Sequence, residues 1–336
     1  MKKIHLRALV LAAGYGTRLQ PLTAFVPKPL VPIRGKPVTL LTLEQLAAIG
    51  CQAIAVNLHH QGEAIRQSLR DSVGGVPLTY SVEDEILGTL GALGPLQEFF
   101  RPAELVLVIN GDSLCRWPLR RLIRRHLRGS YEATLLVSKS IDPKPFGGGV
   151  AVEERKRIVS FRQEGEDNPK LRRRVFMGAH VLSPTILDRL PTGPADFVSD
   201  LYEPMLGIGA GIGAVESSRK WHDLGTPERY RQAVLKWGRR RGWQAVDVEV
   251  AGEVAVERSV LEREVRVETG SQVKDSVILQ GARIGQGCRV TEAIIGPGVN
   301  LPPHTTVKRR MVTPVRADAA SSQAASIVGG LVYEPI

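Results

Sequence analysis

The residues best suited to chemistry in this chain sit directly behind its first apolar run. Leu11-Ala-Ala-Gly14-Tyr-Gly16-Thr-Arg18-Leu-Gln-Pro-Leu-Thr23 is followed by Val26-Pro-Lys28-Pro-Leu-Val-Pro32 and then Gly35-Lys-Pro37. A glycine turn at a strand end can face an anion with backbone N–H groups. Arg18 and Lys28 add two cations, and prolines at 21, 27, 29 and 32 stiffen the loop, so less entropy is lost when it orders around a ligand. A stiff, basic loop rich in backbone donors suits a triphosphate. The segment is not the dinucleotide fingerprint, because position 19 is Leu where a third Gly belongs, and no Gly-Lys-Ser or Gly-Lys-Thr closes it as a Walker loop.

Two carboxylates add to this. Asp112 ends the apolar run Val-Ile-Asn-Gly-Asp, and Asp223 follows Trp221 at a second expected strand end. A hard cation such as Mg²⁺ is held by one or two carboxylates together with substrate phosphates. Two aspartates distant in sequence could meet at a sheet edge to do this.

These residues need elements to position them. From Leu6 to about Ser138, apolar runs at Ala8–Ala13, Ala53–Leu58, Leu78–Val82, Leu105–Asn110 and Ala133–Ser138 alternate with helical stretches near 38–49, 60–70, 90–100 and 119–128. This alternation predicts a parallel sheet covered on both faces, whose ligands bind beyond the carboxyl ends of its strands. Shorter elements, including Val150–Val152, Ile158–Arg162 and Val175–Leu182, fill 139–226. Thr226, Pro227 and Glu228 then start a helix that runs to about Trp237.

Beyond the basic stretch 238–242 the pattern changes. Val250, Val267, Ile284 and Leu301 form one series, Val256, Val273, Val290 and Val307 a second, and Leu261, Ile278 and Ile295 a third, each with a step of 17 residues. Gly270 and Gly287, then Gly281 and Gly298, keep the same step. This is an internal repeat of hexapeptide type, a three-sided parallel β-helix. The expected domains are 1–238, 245–310 and an Ala/Ser-rich tail over 311–336, either mobile or adding a last strand near Leu331–Tyr333.

Length and composition agree with this division. A chain of 336 residues makes about two domains at roughly 100–200 residues each. Its 45 Lys+Arg against 34 Asp+Glu give a net charge of +11, which suits anionic partners. Three dispersed cysteines without metal-ligand spacing argue against a disulfide framework and fit a reducing compartment. The N-terminal apolar run is too short for a secretory h-region or a membrane span. The chain is therefore expected to be cytoplasmic, with neither membrane nor nucleic acid as a partner. Arg120, Arg121, Arg124, Arg125 and Arg128 read as the solvated face of an amphipathic helix whose apolar stripe is Leu119, Leu122, Ile123 and Leu127. His59-His60 reads as structural. His304, the one base candidate for the acyl transfer that some hexapeptide β-helices carry out, has too few coils around it for such a site.

The loop closely resembles the GxGTRLxPLTxxxPKPLxPxxGKP signature of sugar-1-phosphate nucleotidyltransferases. Leu87-Gly88-Thr89-Leu-Gly91-Ala-Leu, Asn110-Gly111-Asp112, Pro145-Phe146-Gly147, Met177-Gly178-Ala179 and Trp221-His-Asp223-Leu-Gly225-Thr-Pro227 match further landmarks in order, and the appended repeat is similar to that of mannose-1-phosphate guanylyltransferases. The resemblance implies an α/β fold: a Rossmann-like, mostly parallel sheet with a C-terminal left-handed parallel β-helix. It implies an enzyme that transfers a nucleotidyl group from an NTP to a sugar 1-phosphate and releases pyrophosphate, with Mg²⁺ as cofactor. Arg18, Lys28, Asp112 and Asp223 are its implied catalytic residues, the two aspartates holding the metal. Leu11, Ala13, Gly14, Gly16, Thr17, Glu83 and Gly88 are its nucleotide side, and Gly147, Glu164 and Gly178 its sugar side. Where relatives carry Glu-Lys-Pro, this chain reads Gln163-Glu164-Gly165-Glu166; the sugar-phosphate Lys is missing, with Lys170 or Arg172–Arg174 as stand-ins. A Glu83 or Glu85 reaching the base would favour guanine, which offers two adjacent donors. GTP with mannose 1-phosphate is the favoured pair. The alternatives are a uridylyl- or thymidylyltransferase and a non-catalytic nucleotide-sugar-binding relative. A homo-oligomer through the β-helix is expected, because β-helix ends need caps or partners.

Overall fold

The computed structural model describes residues 4–161, 170–238, 242–317 and 321–336. Two compact units are formed. One is the chain up to Gly14 together with Thr39–Trp221; the other is Tyr15–Val38 together with His222–Ile336.

The first unit is built on a ten-stranded sheet. Its centre holds β1 (Leu6–Leu11), β2 (Ala53–Leu58), β3 (Val76–Val82) and β4 (Leu105–Asn110). All are parallel, in the order β4-β1-β2-β3. Of these, β1, β2 and β4 are buried along nearly their whole length, Leu9, Val10, Ile54, Val56 and Val108 fully so, because α1 (Val38–Ala48), α2 (Gly62–Leu69) and the segments after Leu87 cover the sheet, whereas β3 alternates buried and exposed residues. Beyond β4, the long strand β6 (Arg172–Leu182) runs antiparallel to both β4 and β5 (Ala133–Ser138), and β7 (Ile212–Ser217) pairs parallel with β5.

Several expectations shift. The first strand ends at Leu11, which leaves Ala12–Gly14 free to turn. The helix expected near 90–100 is three short turns, Gly88–Gly91, Gly94–Leu96 and Gln97–Phe100, since Gly91, Gly94 and Pro95 interrupt it. The arginine-rich helix, α3 (Leu119–Arg128), buries Leu119, Leu122 and His126, while Leu127 is 48% exposed. The i, i+3, i+7 face thus passes through a histidine in place of the expected Leu127.

In the second unit, Thr226 caps α4 (Pro227–Lys236) by accepting the Arg229 N–H at 3.3 Å. After Gly242 the repeat takes the expected form. Trp243–Gln244, Val260–Leu261, Val277–Ile278 and Ile294–Ile295 stack in parallel on one face. The Val250/Val267 and Val256/Val273 series form the other two, each pair in register at 17 residues. Corners recur with positive φ at Arg258, Asp275, Glu292 and Arg309. The last coil is continued by Arg310–Pro314, against which the tail strand Leu331–Pro335 lies antiparallel, burying Leu331 and Val332. No helix among the described residues is long and apolar enough to cross a membrane.

Candidate active-site residues

In the first unit, β1 and β4 end side by side, with Leu11 opposite Asn110. The Gly111 N–H donates to the Leu11 carbonyl at 2.8 Å, and the Thr39 hydroxyl to the Gly111 carbonyl at 2.9 Å. A Cβ at Gly111 would lie 2.8 Å from the Leu11 oxygen, so only glycine permits this closure. It places the half-buried Asp112 one residue beyond the point where β1 opens into the Ala12–Gly14 turn. Nothing lies within 4 Å of a Cβ built on Gly14, so the backbone of this turn is open to a ligand. Ala13 is buried beside it.

The turn is held by a relay that the sequence did not disclose. The Ala12 N–H donates to Asn57 Oδ1 at 2.8 Å, and Asn57 Nδ2 donates to Glu83 Oε1 at 2.8 Å. Glu83 Oε2 accepts the Leu87 N–H at 3.0 Å. Glu83 is 4% exposed; its oxygens serve the protein interior, whereas the sequence reading took it toward the base. Glu85 is exposed. Gly88 has φ +74°, and a Cβ there would sit 2.5 Å from the Ala195 carbonyl oxygen. The glycines of Leu87–Gly91 thus permit close packing on 193–195.

Of the residues expected to face a sugar, Gly178 has φ +74° and faces Asn110, whose amide nitrogen would lie 2.6 Å from a Cβ. It sits in a bulge: β6 advances four residues from Phe176 to His180 while β5 advances two, from Val137 to Leu135. Facing it, Phe197–Tyr202 forms a π-helix. Bulges and π-turns re-aim side chains, often at functional sites. Here Phe176, His180, Asp196, Phe197, Asn110 and Thr89 line a cavity of about 310 Å³. His180, 1% exposed, packs edge-on to Phe176, Phe197 and Tyr202 and hydrogen-bonds the Tyr202 hydroxyl; burial pushes it down to about 3, so it is neutral. The Thr89 hydroxyl donates to Asp196 Oδ1 at 2.8 Å. Gly147, φ +65°, lies in a separate turn with open space around it. Glu164 lies outside the described residues. Among the proposed stand-ins for the missing Lys, Arg174 is paired with Glu216 at 2.6 Å and Arg172 donates to the Glu153 carbonyl at 3.3 Å.

In the second unit, Gly16 (φ +68°) opens the turn Thr17–Leu19 that carries the exposed Arg18. The Lys28 stem packs 3.0 Å from the position a Gly16 Cβ would take, and the Thr23 hydroxyl donates to the Gly16 carbonyl at 3.0 Å. A Cβ on Gly225 would lie 3.0 Å from an Arg18 guanidinium nitrogen and from both Asp223 oxygens, so these groups close over Gly225. Asp223 also pairs with Arg229 at 2.6 Å, a partner the sequence reading missed although it stands one helical turn inside the recognised Thr226–Pro227 start.

Among the described residues, no group of three or more His, Cys, Asp or Glu side chains gathers as a metal cluster. The donors on hand are individual aspartates. They fit a hard cation that completes its shell with phosphate oxygens and water, not a closed structural zinc site.

Residues 7–239 match the nucleotidyl transferase family, and 243–313 match the GlmU-like C-terminal hexapeptide family. The chain belongs to the nucleotidyl transferase family, with a hexapeptide β-helix appended. It is 31% identical over 231 residues to a probable mannose-1-phosphate guanylyltransferase 1 of Oryza sativa subsp. japonica, covering 67% of this chain and 63% of that protein. It is 30% identical to the mannose-1-phosphate guanylyltransferase catalytic subunit beta of Drosophila melanogaster, covering 67% of this chain and 60% of that one. The matched part thus spans less than two thirds of these relatives. The crystal structure of HddC from Yersinia pseudotuberculosis is similar over 69% of this chain and 99% of its own, at TM-score 0.58 and 26% identity; the same protein complexed with GMP-PN gives 0.58 and 25%.

Proposed function

We propose that this protein is a sugar-1-phosphate nucleotidyltransferase: it takes an NTP and a sugar 1-phosphate and yields an NDP-sugar and pyrophosphate. The observation that carries the reading is the closure of Gly111 onto Leu11, which sets Asp112 beside an open glycine turn at paired parallel strand ends. GTP and mannose 1-phosphate are the favoured pair. The names of the relatives and the guanine nucleotide analogue bound by HddC support this choice; Glu83 does not, because it is used internally.

In this reading, an oxygen of the sugar phosphate attacks the α-phosphorus of the NTP. The bond to the bridging oxygen breaks and pyrophosphate leaves. The attacking group is already anionic near neutral pH, so no side chain has to remove a proton. Catalysis consists of positioning and charge neutralisation. Arg18 meets the charge that grows on the leaving pyrophosphate, and Lys28 the α-phosphate region. Asp112 and Asp223 would hold Mg²⁺, which supplies further neutralisation of the phosphates when bound. The 310 Å³ cavity supports a neutral sugar ring as the second substrate: Phe176, backed by the buried Phe197 and His180, offers an apolar face to C–H bonds, while Asp196, Asn110 and Thr89 offer hydroxyl partners. Among the described residues, no Lys or Arg lines it. We also propose a cytoplasmic homo-oligomer joined through the β-helix, in keeping with the exposed first-coil residues Val246 and Val250; sedimentation tests it.

The direct test is a matrix of NTPs against sugar 1-phosphates, read as pyrophosphate release. Turnover is expected with at least one pair, highest with GTP and mannose 1-phosphate. No turnover with any pair would overturn the reading.

A further inference from the structure

In the 17-residue repeat, the position that follows the inward rung Leu261, Ile278 and Ile295 turns out of the coil. Ala245, Glu262, Leu279 and Gly296 occupy the same register in successive coils, each donating its N–H to the coil above. Three are small or apolar, and the fourth, although it faces away from the coil interior, is a carboxylate only 2% exposed. The repeat has no use for it, and burying it is costly. Its partners lie elsewhere in the second unit. Glu262 accepts hydrogen bonds from the backbone N–H groups of Arg34 and Gly35, while its Oε1 is buried with no hydrogen-bond partner.

Arg34 and Gly35 form the tip of a hairpin between Pro32–Ile33 and Lys36–Pro37, with φ of 53° and 85°, a two-residue turn of the primed type. Further anchors hold the same tip. The Arg34 guanidinium donates to the Val234 and Leu235 carbonyls at 3.3 and 3.0 Å, using the free C-terminal acceptors of α4. The Tyr230 hydroxyl donates to the Pro32 carbonyl at 2.9 Å. The Trp243 ring lies 3.1 Å from where a Gly35 Cβ would be. At the hairpin base the Val38 N–H donates to the Val31 carbonyl at 3.1 Å, immediately after the turn Lys28–Leu30. Lys28 in turn packs on Gly16, two residues before Arg18.

We propose that Glu262 is a positioning residue for nucleotide transfer: it fixes the Arg34–Gly35 turn, and through that hairpin it sets Lys28 and Arg18. The proposal rests on the reading above that these two cations address the triphosphate. It makes the first coils of the β-helix part of the machinery that shapes the loop. Among the described residues, two charged or titratable side chains face Glu262, Arg34 from the hairpin and Tyr230 from α4. Burial pushes the carboxyl up to about 7, against the opposing pull of the two N–H groups and the Arg34 guanidinium, and its charge helps hold the Tyr230 hydroxyl well above the ordinary range. The two N–H groups and Arg34 favour the ion but burial outweighs them, so ionisation works against the closed state and the turn is held less firmly as pH rises through about 7.

The test uses the full chain as wild type, Glu262→Gln and Glu262→Leu; the Leu variant restores the residue type that Leu279 provides one coil on. Glu262→Leu, which removes the acceptor, is expected to raise the KM for NTP about five-fold or more at pH 6, where the wild-type turn is held best, and Glu262→Gln, which keeps an acceptor oxygen, to raise it less, each with the KM for the sugar 1-phosphate within about two-fold of wild type. The wild-type KM for NTP should rise between pH 6 and 8 by more than that of either variant. An unchanged NTP KM and pH profile overturn the proposal, as does a parallel rise in both KM values, which marks general loosening. If Glu262→Gln does not fold, Glu262→Leu decides. Amide hydrogen exchange of wild-type Arg34 and Gly35, corrected for intrinsic pH dependence, should quicken from pH 6 to 8; a flat response also overturns it. If wild type turns over no substrate pair, the nucleotidyltransferase reading is what fails, and the exchange measurement still decides whether Glu262 holds the turn.

Discussion

The β-helix and the strand ends of the sheet solve opposite problems. In the β-helix each feature recurs: valines stack on valines, Ser259 and Ser276 each accept an N–H from the next coil, and the positive-φ corners return every 17 residues. At the strand ends nothing recurs. Gly111 closes on Leu11, Glu83 braces two turns, and one bulge faces one π-helix. Repetition spreads stability over equivalent positions, whereas a site needs a particular group at a particular place. Glu262 is informative because it keeps the repeat's backbone bonds while its side chain is buried on a hairpin outside the repeat.

This contrast can be broken in five ways, taken from the largest expected effect. Ile284→Ala, in a fully buried rung, should cost about 2–5 kcal/mol of stability; urea unfolding that shifts by less than ~1 kcal/mol would show that the coils do not share a packed core.

Acid comes next. His126, 4% exposed, meets the Thr134 and Ser183 hydroxyls at 3.0 and 3.3 Å, and burial lowers it to about 4; His180 is lowered to about 3. The unfolded chain binds these protons first. Their contribution is therefore present above about pH 6.5 and lost as pH falls through the folded values, on the order of 3 kcal/mol for His126. Glu262 opposes this. Its folded value is raised, so its contribution is present below the ordinary carboxylate range and lost as pH rises through about 7. The Tm should fall between pH 6.5 and 4, and more shallowly in the variant His126→Gln. A Tm that is flat over that range in wild type would contradict the burial of both histidines.

Asp112→Asn and Asp223→Asn should each lower kcat by at least ~100-fold, about 2.7 kcal/mol of transition-state stabilisation, with Tm little changed. Near-normal turnover at saturating Mg²⁺ removes that residue from the reaction. Glu83→Gln should instead cost stability, about 1–3 kcal/mol, because an amide NH₂ would face either the Asn57 or the Leu87 donor. Its GTP:UTP ratio of kcat/KM should move by less than about two-fold; a larger change would return Glu83 to base selection. Last, Val250→Ala, in the exposed first rung, should stay within ~0.5 kcal/mol of wild type, and a larger loss would mean that the end of the β-helix is covered in solution.

Much of this was legible from residues alone. Apolar runs placed the central strands within about two residues, the step of 17 gave the repeat and its register, and glycine spacing marked the turn after β1. These are properties of short windows, fixed by side-chain period and backbone freedom, and the chain carries them whatever surrounds them. Tertiary structure decided which groups are used up and which are left for chemistry. Glu83 is spent on Asn57 and Leu87, Arg174 on Glu216, and Asp223 shares its charge with Arg229. His126 replaces Leu127 on the buried face of α3, and Phe176 and His180 are turned by a bulge that no local pattern announces. Arg34 and Glu262 stand more than two hundred residues apart in the sequence. A carboxylate looks the same in a sequence whether it ends in water or on a backbone turn, because its partners are chosen by packing across the whole unit and not by spacing along the chain.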